Sequence, residues 1–201
     1  MTYQIWNRRY TGSKYKIADW IIELILDNCS GNSFCDIFAG TGIISKKILD
    51  YMSTIYINDF LFSNEIIYRA FFEQNSYNLD KLNKIKTRFQ NLIADDIVDN
   101  YVSINYGNKF FSYNDALIIG FIRESIDKEL LNEKEKNILL ASLLYSLDKA
   151  ANTVGHYDAY IKGKKINDSF KFDLIDPYKY DNKDIFITRC DANVLAKNIM
   201  C

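Results

Sequence analysis

The chain has 201 residues, of which 48% are hydrophobic and 25% charged, and its formal net charge is −1. This composition is typical of a globular protein and excludes a polycation that binds nucleic acid through net charge alone. The single histidine and the absence of a C-x-x-C pair among the four cysteines disfavour a zinc site. The start of the chain has no apolar h-region, and no apolar run approaches the roughly 20 residues of a membrane span. We therefore expect a cytoplasmic protein with free thiols, without a metal or a membrane partner.

The start of the chain alternates between helical and strand patterns. Apolar residues recur at helical spacing over 15–28, and residues 33–38 read as a short buried strand. A turn at 39–42 leads into a second helical segment, and the β-rich run 54–58 ends at Asp59. This order predicts two parallel strands that are joined by a right-handed crossover.

A different pattern follows from residue 62. Helical spacing dominates up to about residue 152, apart from a polar interval at 99–114. Residues 165–184 are polar and turn-like, and they precede a predicted strand at 185–189 and a short helix at 192–199. We predict an α/β fold in which 1–60 and 180–201 form a cofactor-binding core. Residues 61–179 would form a mostly helical insertion, which is a candidate DNA-recognition region.

The predicted first strand ends in a turn that contains two glycines, Asp36-Ile37-Phe38-Ala39-Gly40-Thr41-Gly42. Glycines at this place let the backbone approach a ligand closely, and an acidic residue after the second strand, here Asp59, bonds ribose hydroxyls in nucleotide folds. A dinucleotide site requires a third glycine, but that position is Ser45. The pattern favours S-adenosylmethionine, whose positive end Asp36 could meet. A tight turn without a ligand is the alternative.

A second motif, Arg9-Tyr10-Thr11-Gly12-Ser13-Lys14, stands just before the first predicted helix. Its order and spacing relative to DIFAGTG and to INDF at 57–60 resemble the Dam-like family of N6-adenine DNA methyltransferases. In that family a (W/Y/F)-x-G-(G/S)-K segment wraps the methionine end of the cofactor. The resemblance is specific over 8–60 and again over CDANVLAKNI at 190–199, and it is loose over 61–160.

The resemblance implies a Rossmann-like methyltransferase sheet, S-adenosylmethionine as the cofactor and double-stranded DNA as the substrate. It implies that Lys14 pairs with the methionine carboxylate, that Asp59 binds the ribose and that Asp191 lies beside the adenine of the cofactor. The positions that match the cofactor site of the family are Tyr10, Thr11, Gly12, Lys14, Asp36, Phe38, Gly40, Gly42, Asp59, Asp191 and Ala192. A restriction–modification setting is also implied.

The catalytic loop of the family, (D/N/S)-P-P-(Y/F), accepts hydrogen bonds from the amine of a flipped adenine. This chain has one proline, so the loop is absent from it. Asp176, Pro177 and Tyr178 are weak catalytic candidates, because they precede CDANVLAKNI whereas the family places its loop after that segment. We therefore expect a sheet that is incomplete at the C-terminus, and an N-terminal fragment or relic of a methyltransferase with little activity alone.

Three other hypotheses stay open. The chain could be one half of a split methyltransferase, with a second polypeptide that supplies the catalytic loop. It could instead be a non-catalytic DNA- or protein-binding module, or Asp176-Pro177-Tyr178 could be a degenerate catalytic loop.

The segment GHYDAYIKGKK contains weak candidates for DNA contact. The sole histidine could contact phosphate or base, and lysines follow within a few residues. The more common roles of these residues are a hydrogen-bonded structural histidine, packed tyrosines and a solvated lysine cluster. The candidates are His156, Tyr157, Lys162, Lys164 and Lys165.

Overall fold

The computed structural model describes residues 3–199, which divide into two compact units. The sheet unit contains residues 4–75 and 177–199, and the helical unit contains residues 76–176 together with Tyr3. The described strands are Ser33–Asp36 (β1), Thr54–Asn58 (β2) and Asp184–Thr188 (β3). The described helices are Ala18–Asn28 (α1), Ile43–Ile48 (α2), Phe62–Phe72 (α3), Leu79–Gln90 (α4), Tyr101–Tyr106 (α5), Tyr113–Lys128 (α6), Glu133–Ala150 (α7) and Ala192–Asn198 (α8). This mixed α/β architecture confirms the predicted fold class.

The three strands form one parallel sheet in the order β1-β2-β3. The predicted parallel pairing of β1 with β2 is confirmed, with Ser33 opposite Thr54. The central strand β2 buries Ile55 and Ile57 completely, as expected for a β-branched strand that has a neighbour on both sides. β1 ends at Asp36, two residues before the predicted end of the strand. The carboxyl ends of all three strands lie at one edge of the sheet.

Helix α1 confirms the predicted N-terminal helix, although its first turn is a separate 3-10 helix at Tyr15–Ile17. Helix α2 begins directly after the glycine turn, with Gly42 as its N-cap. Helix α3 follows β2 and belongs to the sheet unit. The structure therefore divides the chain after Asn75 and after Asp176, and the domain boundaries at 61 and 179 stay a prediction.

The helical unit is built from α4 to α7 and from a long irregular segment that follows α7. The predicted polar interval at 99–114 contains the short helix α5, which begins with a capping box. Asn100 Oδ1 accepts a hydrogen bond from Ser103 N, and Ser103 Oγ accepts one from Asn100 N. Across residues 3–199, no helix combines the length and the apolar character needed to cross a membrane.

Candidate functional site

At two positions, the turn after β1 has a backbone conformation that only glycine adopts readily. Gly40 and Gly42 have φ of 56° and 76°, in the left-handed region. The turn is closed by Gly42 N, which donates to Ala39 O at 2.7 Å, and it is tied to β2 by Ala39 N, which donates to Asn58 O at 2.9 Å. The sequence therefore builds a tight, fixed turn at the carboxyl edge of the sheet.

Asp59 holds this turn from the end of β2. Its Oδ2 accepts a hydrogen bond from Gly40 N and its Oδ1 accepts one from Leu61 N, each at 2.9 Å. Only 9% of its surface is exposed. Each carboxylate oxygen can accept a further hydrogen bond, so this positioning role leaves Asp59 with acceptor capacity, and its ribose-binding role stays a prediction.

Tyr10 and Tyr68 enclose Gly40. The Tyr68 hydroxyl donates to Gly40 O at 2.6 Å, and a side chain at position 40 would meet the ring of Tyr10 at 3.3 Å. Burial raises the pKa of the Tyr10 phenol, and the nearby charge of Asp59 raises it further. Tyr10 is therefore a neutral hydroxyl beside the turn.

Asn64, in the first turn of α3, lies next to the Tyr10 phenol, and a hydrogen bond from its side chain opposes the rise in the pKa of Tyr10. Asn64 is only 3% exposed. A buried amide needs a hydrogen-bond partner, and this contact makes Asn64 a residue that positions Tyr10 beside the turn.

A pocket of about 210 Å³ opens at the glycine turn. It brings together two of the motifs identified in the sequence, the N-terminal segment and the turn after β1. Its lining residues are Tyr10, Thr11, Gly12, Ser13, Lys14, Asp36, Phe38, Ala39, Gly40, Thr41, Ile43 and Ile44. Gly42 is buried, and Asp59, Asp191 and Ala192 do not line this pocket.

Lys14 provides the positive charge of the pocket. Its Nζ donates to Gly12 O at 3.0 Å, and the side chain is otherwise exposed. A ligand carboxylate would replace this neutral acceptor with a charged one, which forms the stronger hydrogen bond. The position is compatible with the carboxylate-pairing role that the resemblance implies.

Asp36 supplies a carboxylate to the same pocket. Burial raises the pKa of Asp36 above its usual value, while the Ser45 hydroxyl, which donates to Oδ2 at 2.6 Å, opposes this rise. A buried carboxylate disfavours the charged form unless a cation lies nearby. Asp36 is thus suited to meet a positively charged ligand group.

We expect the Asp36→Asn variant to be more stable than the wild type at neutral pH, because the amide keeps the Ser45 bond and removes the cost of a buried charge. A carboxyl group whose pKa is higher in the folded than in the unfolded protein stabilises the fold fully at a pH below its unfolded pKa of about 3.9. This contribution is lost as the pH rises through the pKa that the group has in the folded protein. The advantage of the variant should therefore shrink towards pH 4. Urea unfolding at several pH values measures it, and a pH-independent difference would contradict the explanation.

Asp191 and Ala192 lie after β3, at the same edge of the sheet. Asp191 caps α8, because its Oδ1 accepts hydrogen bonds from Asn193 N at 2.9 Å and Val194 N at 3.3 Å. The backbone of its neighbour Cys190 forms two hydrogen bonds with the side chain of Asn58, at the end of β2. The N-cap role by itself accounts for an acidic residue at this position. A contact of Asp191 with the adenine of a cofactor stays a prediction.

The segment Asp176-Pro177-Tyr178 is integrated into packing. The Tyr178 ring lies 5.0 Å from that of Phe71, centroid to centroid, and its backbone N donates to Phe71 O at 2.9 Å. The Tyr178 hydroxyl accepts a hydrogen bond from Ile5 N at 3.3 Å, whereas Asp176 is exposed. These contacts are those of a structural tyrosine in the sheet unit, and a catalytic role of the segment stays a prediction.

The candidate DNA-contact loop follows α7 in the helical unit. Thr153 forms an antiparallel bridge with Tyr160, and the Tyr157 hydroxyl donates to Asp148 Oδ1 at 2.7 Å. His156 Nδ1 lies 3.2 Å from a carboxylate oxygen of Asp158. The loop is therefore anchored by its tyrosines, while its three lysines, Lys162, Lys164 and Lys165, are exposed.

The sequence did not identify Asn58, Tyr68 or Asn64 as parts of the site. Asn58 occurs within the quoted INDF segment, and a polar residue at the end of a buried strand is the signal that could have drawn attention to it. Tyr68 and Asn64 are ordinary members of a helical pattern. No group of three or more potential metal ligands occurs in residues 3–199.

Comparisons with known proteins identify the family. The sequence profile of the D12 class N6 adenine-specific DNA methyltransferases matches residues 10–200. Type II methyltransferase M.NlaIII of Neisseria lactamica is 28% identical over 94% of this chain and 60% of its own length. Type II methyltransferase M.CviAII of Paramecium bursaria Chlorella virus 1 is 35% identical over 76% of this chain and 49% of its own length. Modification methylase StsI of Streptococcus sanguinis is 30% identical over 95% of this chain and 32% of its own length.

The chain thus spans between about one third and three fifths of the length of these relatives. No solved structure gives a significant match. The family match extends over both sequence motifs of the pocket and over the helical unit, and it confirms the resemblance seen in the sequence. The chain belongs to the D12 class N6 adenine-specific DNA methyltransferases.

Proposed function

We propose that this chain binds S-adenosylmethionine at the glycine turn and takes part in methyl transfer to the N6 amine of adenine in double-stranded DNA, in a restriction–modification setting. The pocket that joins the Tyr10–Lys14 segment to the turn carries this proposal. Family membership supports the reaction class, and the names of the relatives support the setting.

The residues of the pocket fit the chemistry of this cofactor. S-adenosylmethionine supplies a sulfonium-activated methyl group, next to an amino acid end that carries a carboxylate. Lys14 would bind the carboxylate, and Asp36 would lie near the positive charge. The carboxylate of Asp59, which can accept further hydrogen bonds, adds an acceptor beside the turn.

The pocket is smaller than the roughly 300–1,000 Å³ typical of sites for drug-sized ligands. Its volume of about 210 Å³ suits part of the cofactor. The remainder would extend along the carboxyl edge of the sheet, where Asp59 and Asp191 follow β2 and β3. The side chain of Phe38, which is 81% exposed at this edge, is available to cover it.

Methyl transfer also requires an acceptor for the hydrogens of the adenine amine, which is a poor nucleophile. The residues of this chain include one proline, so a (D/N/S)-P-P-(Y/F) loop must come from elsewhere. We propose that residues outside these 201 supply it, either in the same protein or in a second polypeptide, and that the chain alone is weak or inactive. Clear adenine methylation of duplex DNA by this chain alone would contradict this part of the proposal.

The anchored loop after α7 would contact the DNA. Lys162, Lys164 and Lys165 are exposed on it, and lysines near phosphates produce a salt-dependent affinity. This placement favours a DNA-binding role for the helical unit, which is also the basis of the alternative function as a non-catalytic binding module. Fluorescence anisotropy of labelled duplex DNA tests it, and an affinity unchanged by alanine at all three lysines would exclude the loop.

Calorimetric titration with S-adenosylmethionine tests the cofactor site. We expect saturable binding, and we expect Lys14→Ala and Asp59→Ala each to weaken it by about tenfold or more, since each removes a charge-assisted hydrogen bond. Lys16→Ala is the matched control, because Lys16 is also an exposed lysine, two residues away, that does not line the pocket. Absence of binding by a folded wild type, or equal losses for Lys14→Ala and Lys16→Ala, would contradict the proposed site.

A further inference from the structure

Two walls of the glycine-turn pocket come from segments that are distant in the chain. One wall is the turn after β1, which includes Gly40, and the other is the N-terminal segment that includes Tyr10. Residues 10–13 and 37–42 belong to no helix or strand. The shape of the pocket therefore depends on local turns and on the side chains that hold these two segments in place.

The peptide groups on both sides of Gly40 are fixed by side chains. Gly40 N donates to Asp59 Oδ2 at 2.9 Å, and Gly40 O accepts a hydrogen bond from the Tyr68 hydroxyl at 2.6 Å. Glycine has more backbone freedom than any other residue, so both of its peptide groups must be held if its two dihedral angles are to be fixed. The two contacts together therefore set the conformation of the turn at Gly40, where φ is 56°.

Tyr68 belongs to helix α3, which is firmly packed in the sheet unit. Tyr68, Phe71 and Phe72 are 0% exposed. On the same helix, the Glu65 carboxylate pairs with Arg189, the residue after β3, at 3.0 Å. The Tyr68 hydroxyl is therefore presented from an element that is held in place by its own packing, as precise placement of a neighbouring backbone requires.

Asn64 lies on the same face of α3 as Tyr68, because residues four positions apart in a helix are neighbours. It is buried, and a hydrogen bond from its side chain contacts the Tyr10 phenol. The Tyr10 ring in turn lies against Gly40, 3.3 Å from the position that a Cβ would occupy there. One face of α3 therefore supports both walls of the pocket, although Asn64 and Tyr68 are not among the residues that line it.

We propose that Tyr68 and Asn64 are positioning residues for S-adenosylmethionine. From one face of α3, Tyr68 holds the glycine turn and Asn64 holds the N-terminal segment, so that both walls have their binding shape before the cofactor arrives. Preorganisation of this kind raises the affinity, because less ordering has to occur on binding. The inference rests on the proposed function, since it concerns the same cofactor site.

Calorimetric titration of the full chain with S-adenosylmethionine provides the first test. Tyr68→Phe removes one hydroxyl and keeps the buried ring, and we expect it to weaken binding about fivefold to tenfold, as for the loss of one hydrogen bond. Tyr145→Phe is the matched control, because Tyr145 is a tyrosine of helix α7, in the helical unit, that is 1% exposed. Both variants lose a buried hydroxyl and should lower the midpoint of urea unfolding, but only Tyr68→Phe should lower the cofactor affinity.

Amide hydrogen exchange measures the positioning role without the cofactor. The Gly40 amide is protected by its hydrogen bond to Asp59, and loss of the Tyr68 hydrogen bond should let the turn open locally. We expect the Gly40 amide to exchange about tenfold faster in Tyr68→Phe than in the wild type. The amides of the buried strand β2 should change no more in Tyr68→Phe than in Tyr145→Phe.

A double-mutant cycle tests the part assigned to Asn64. If Asn64 acts through the Tyr10 hydroxyl, Asn64→Ala weakens cofactor binding in the wild type but has little further effect in the Tyr10→Phe background. A full additional loss in that background would overturn this part of the inference.

The outcomes separate the inference from the proposed function. A wild type that binds the cofactor, together with a Tyr68→Phe variant that binds it equally well, would overturn the inference and leave the proposed site standing. Equal losses of affinity in Tyr68→Phe and Tyr145→Phe, or an unchanged exchange rate at Gly40, would also overturn it. A folded wild type that binds no cofactor would refute the proposed site and the inference with it.

Discussion

Replacing Asn58 with alanine is expected to lower the free energy of unfolding by about 3–5 kcal/mol, because several buried polar groups lose their partners at once. Asn58 is 1% exposed at the end of β2. Its Nδ2 donates to Ile37 O at 3.0 Å and to Cys190 O at 3.1 Å. Its Oδ1 accepts hydrogen bonds from Thr188 Oγ1 at 2.9 Å and from Cys190 N at 3.1 Å. One side chain thus connects the ends of all three strands.

Urea unfolding followed by circular dichroism measures this loss. Thr188→Val is the matched control, because it removes one of these bonds from the β3 side and should cost about 1 kcal/mol. The same Asn58→Ala variant should lose affinity for S-adenosylmethionine, since the turn that follows β1 and the segment that follows β3 would no longer be held together. A stability within 1 kcal/mol of the wild type would show that the strand ends are held by other contacts.

The elements that the sequence predicted well are those with a strong local pattern. Helix α1 and strand β2 have clear apolar spacing, and the glycine turn marks the junction of β1 and α2. Helix α5 was missed because it has only six residues and lies in an interval that was interpreted as polar, although its Asn100–Ser103 capping box is a local signal. Local patterns therefore account for the order of the elements in the sheet unit.

The sequence motifs contain only some of the residues that form the candidate site. Tyr10, Lys14 and Gly40 belong to short motifs whose chemistry can be inferred from residue type and spacing, and the structure brings them to one pocket. Asn58 and Tyr68 act through hydrogen bonds to backbone atoms that are distant in the chain, and no sequence pattern specifies such partners. Supporting contacts of this kind emerge only when the sheet is assembled.

Helix α1 illustrates a different limit. Its spacing correctly predicts a helix, but spacing alone does not distinguish a face that packs within the chain from one that packs against a partner. Trp20 belongs to the apolar pattern and is nevertheless 60% exposed. The exposure of Trp20 therefore depends on tertiary packing, which the spacing of apolar residues does not encode.

Gly42→Ala is the second variant for which we expect a large effect, a loss of about 2–4 kcal/mol of unfolding free energy. The backbone at Gly42 has φ of 76°, which costs a residue with a Cβ about 1 kcal/mol. The added Cβ would also lie 2.8 Å from Ile5 Cδ1 and 3.2 Å from Tyr68 Cε1, and overpacking of this kind costs about 1–3 kcal/mol. Thermal and urea unfolding measure the sum.

A double variant separates the two causes. Ile5→Val removes the Cδ1 atom that the new Cβ would contact, so Gly42→Ala should cost less in the Ile5→Val background than in the wild type. Additive losses would mean that backbone strain alone accounts for the effect. Gly40→Ala provides the functional contrast, because its Cβ would meet the Tyr10 ring at 3.3 Å, and Tyr10 lines the pocket. If the turn is a cofactor site, Gly40→Ala weakens S-adenosylmethionine binding more than it destabilises the fold, whereas Gly42→Ala, whose neighbours Ile5 and Tyr68 are core residues, does the opposite.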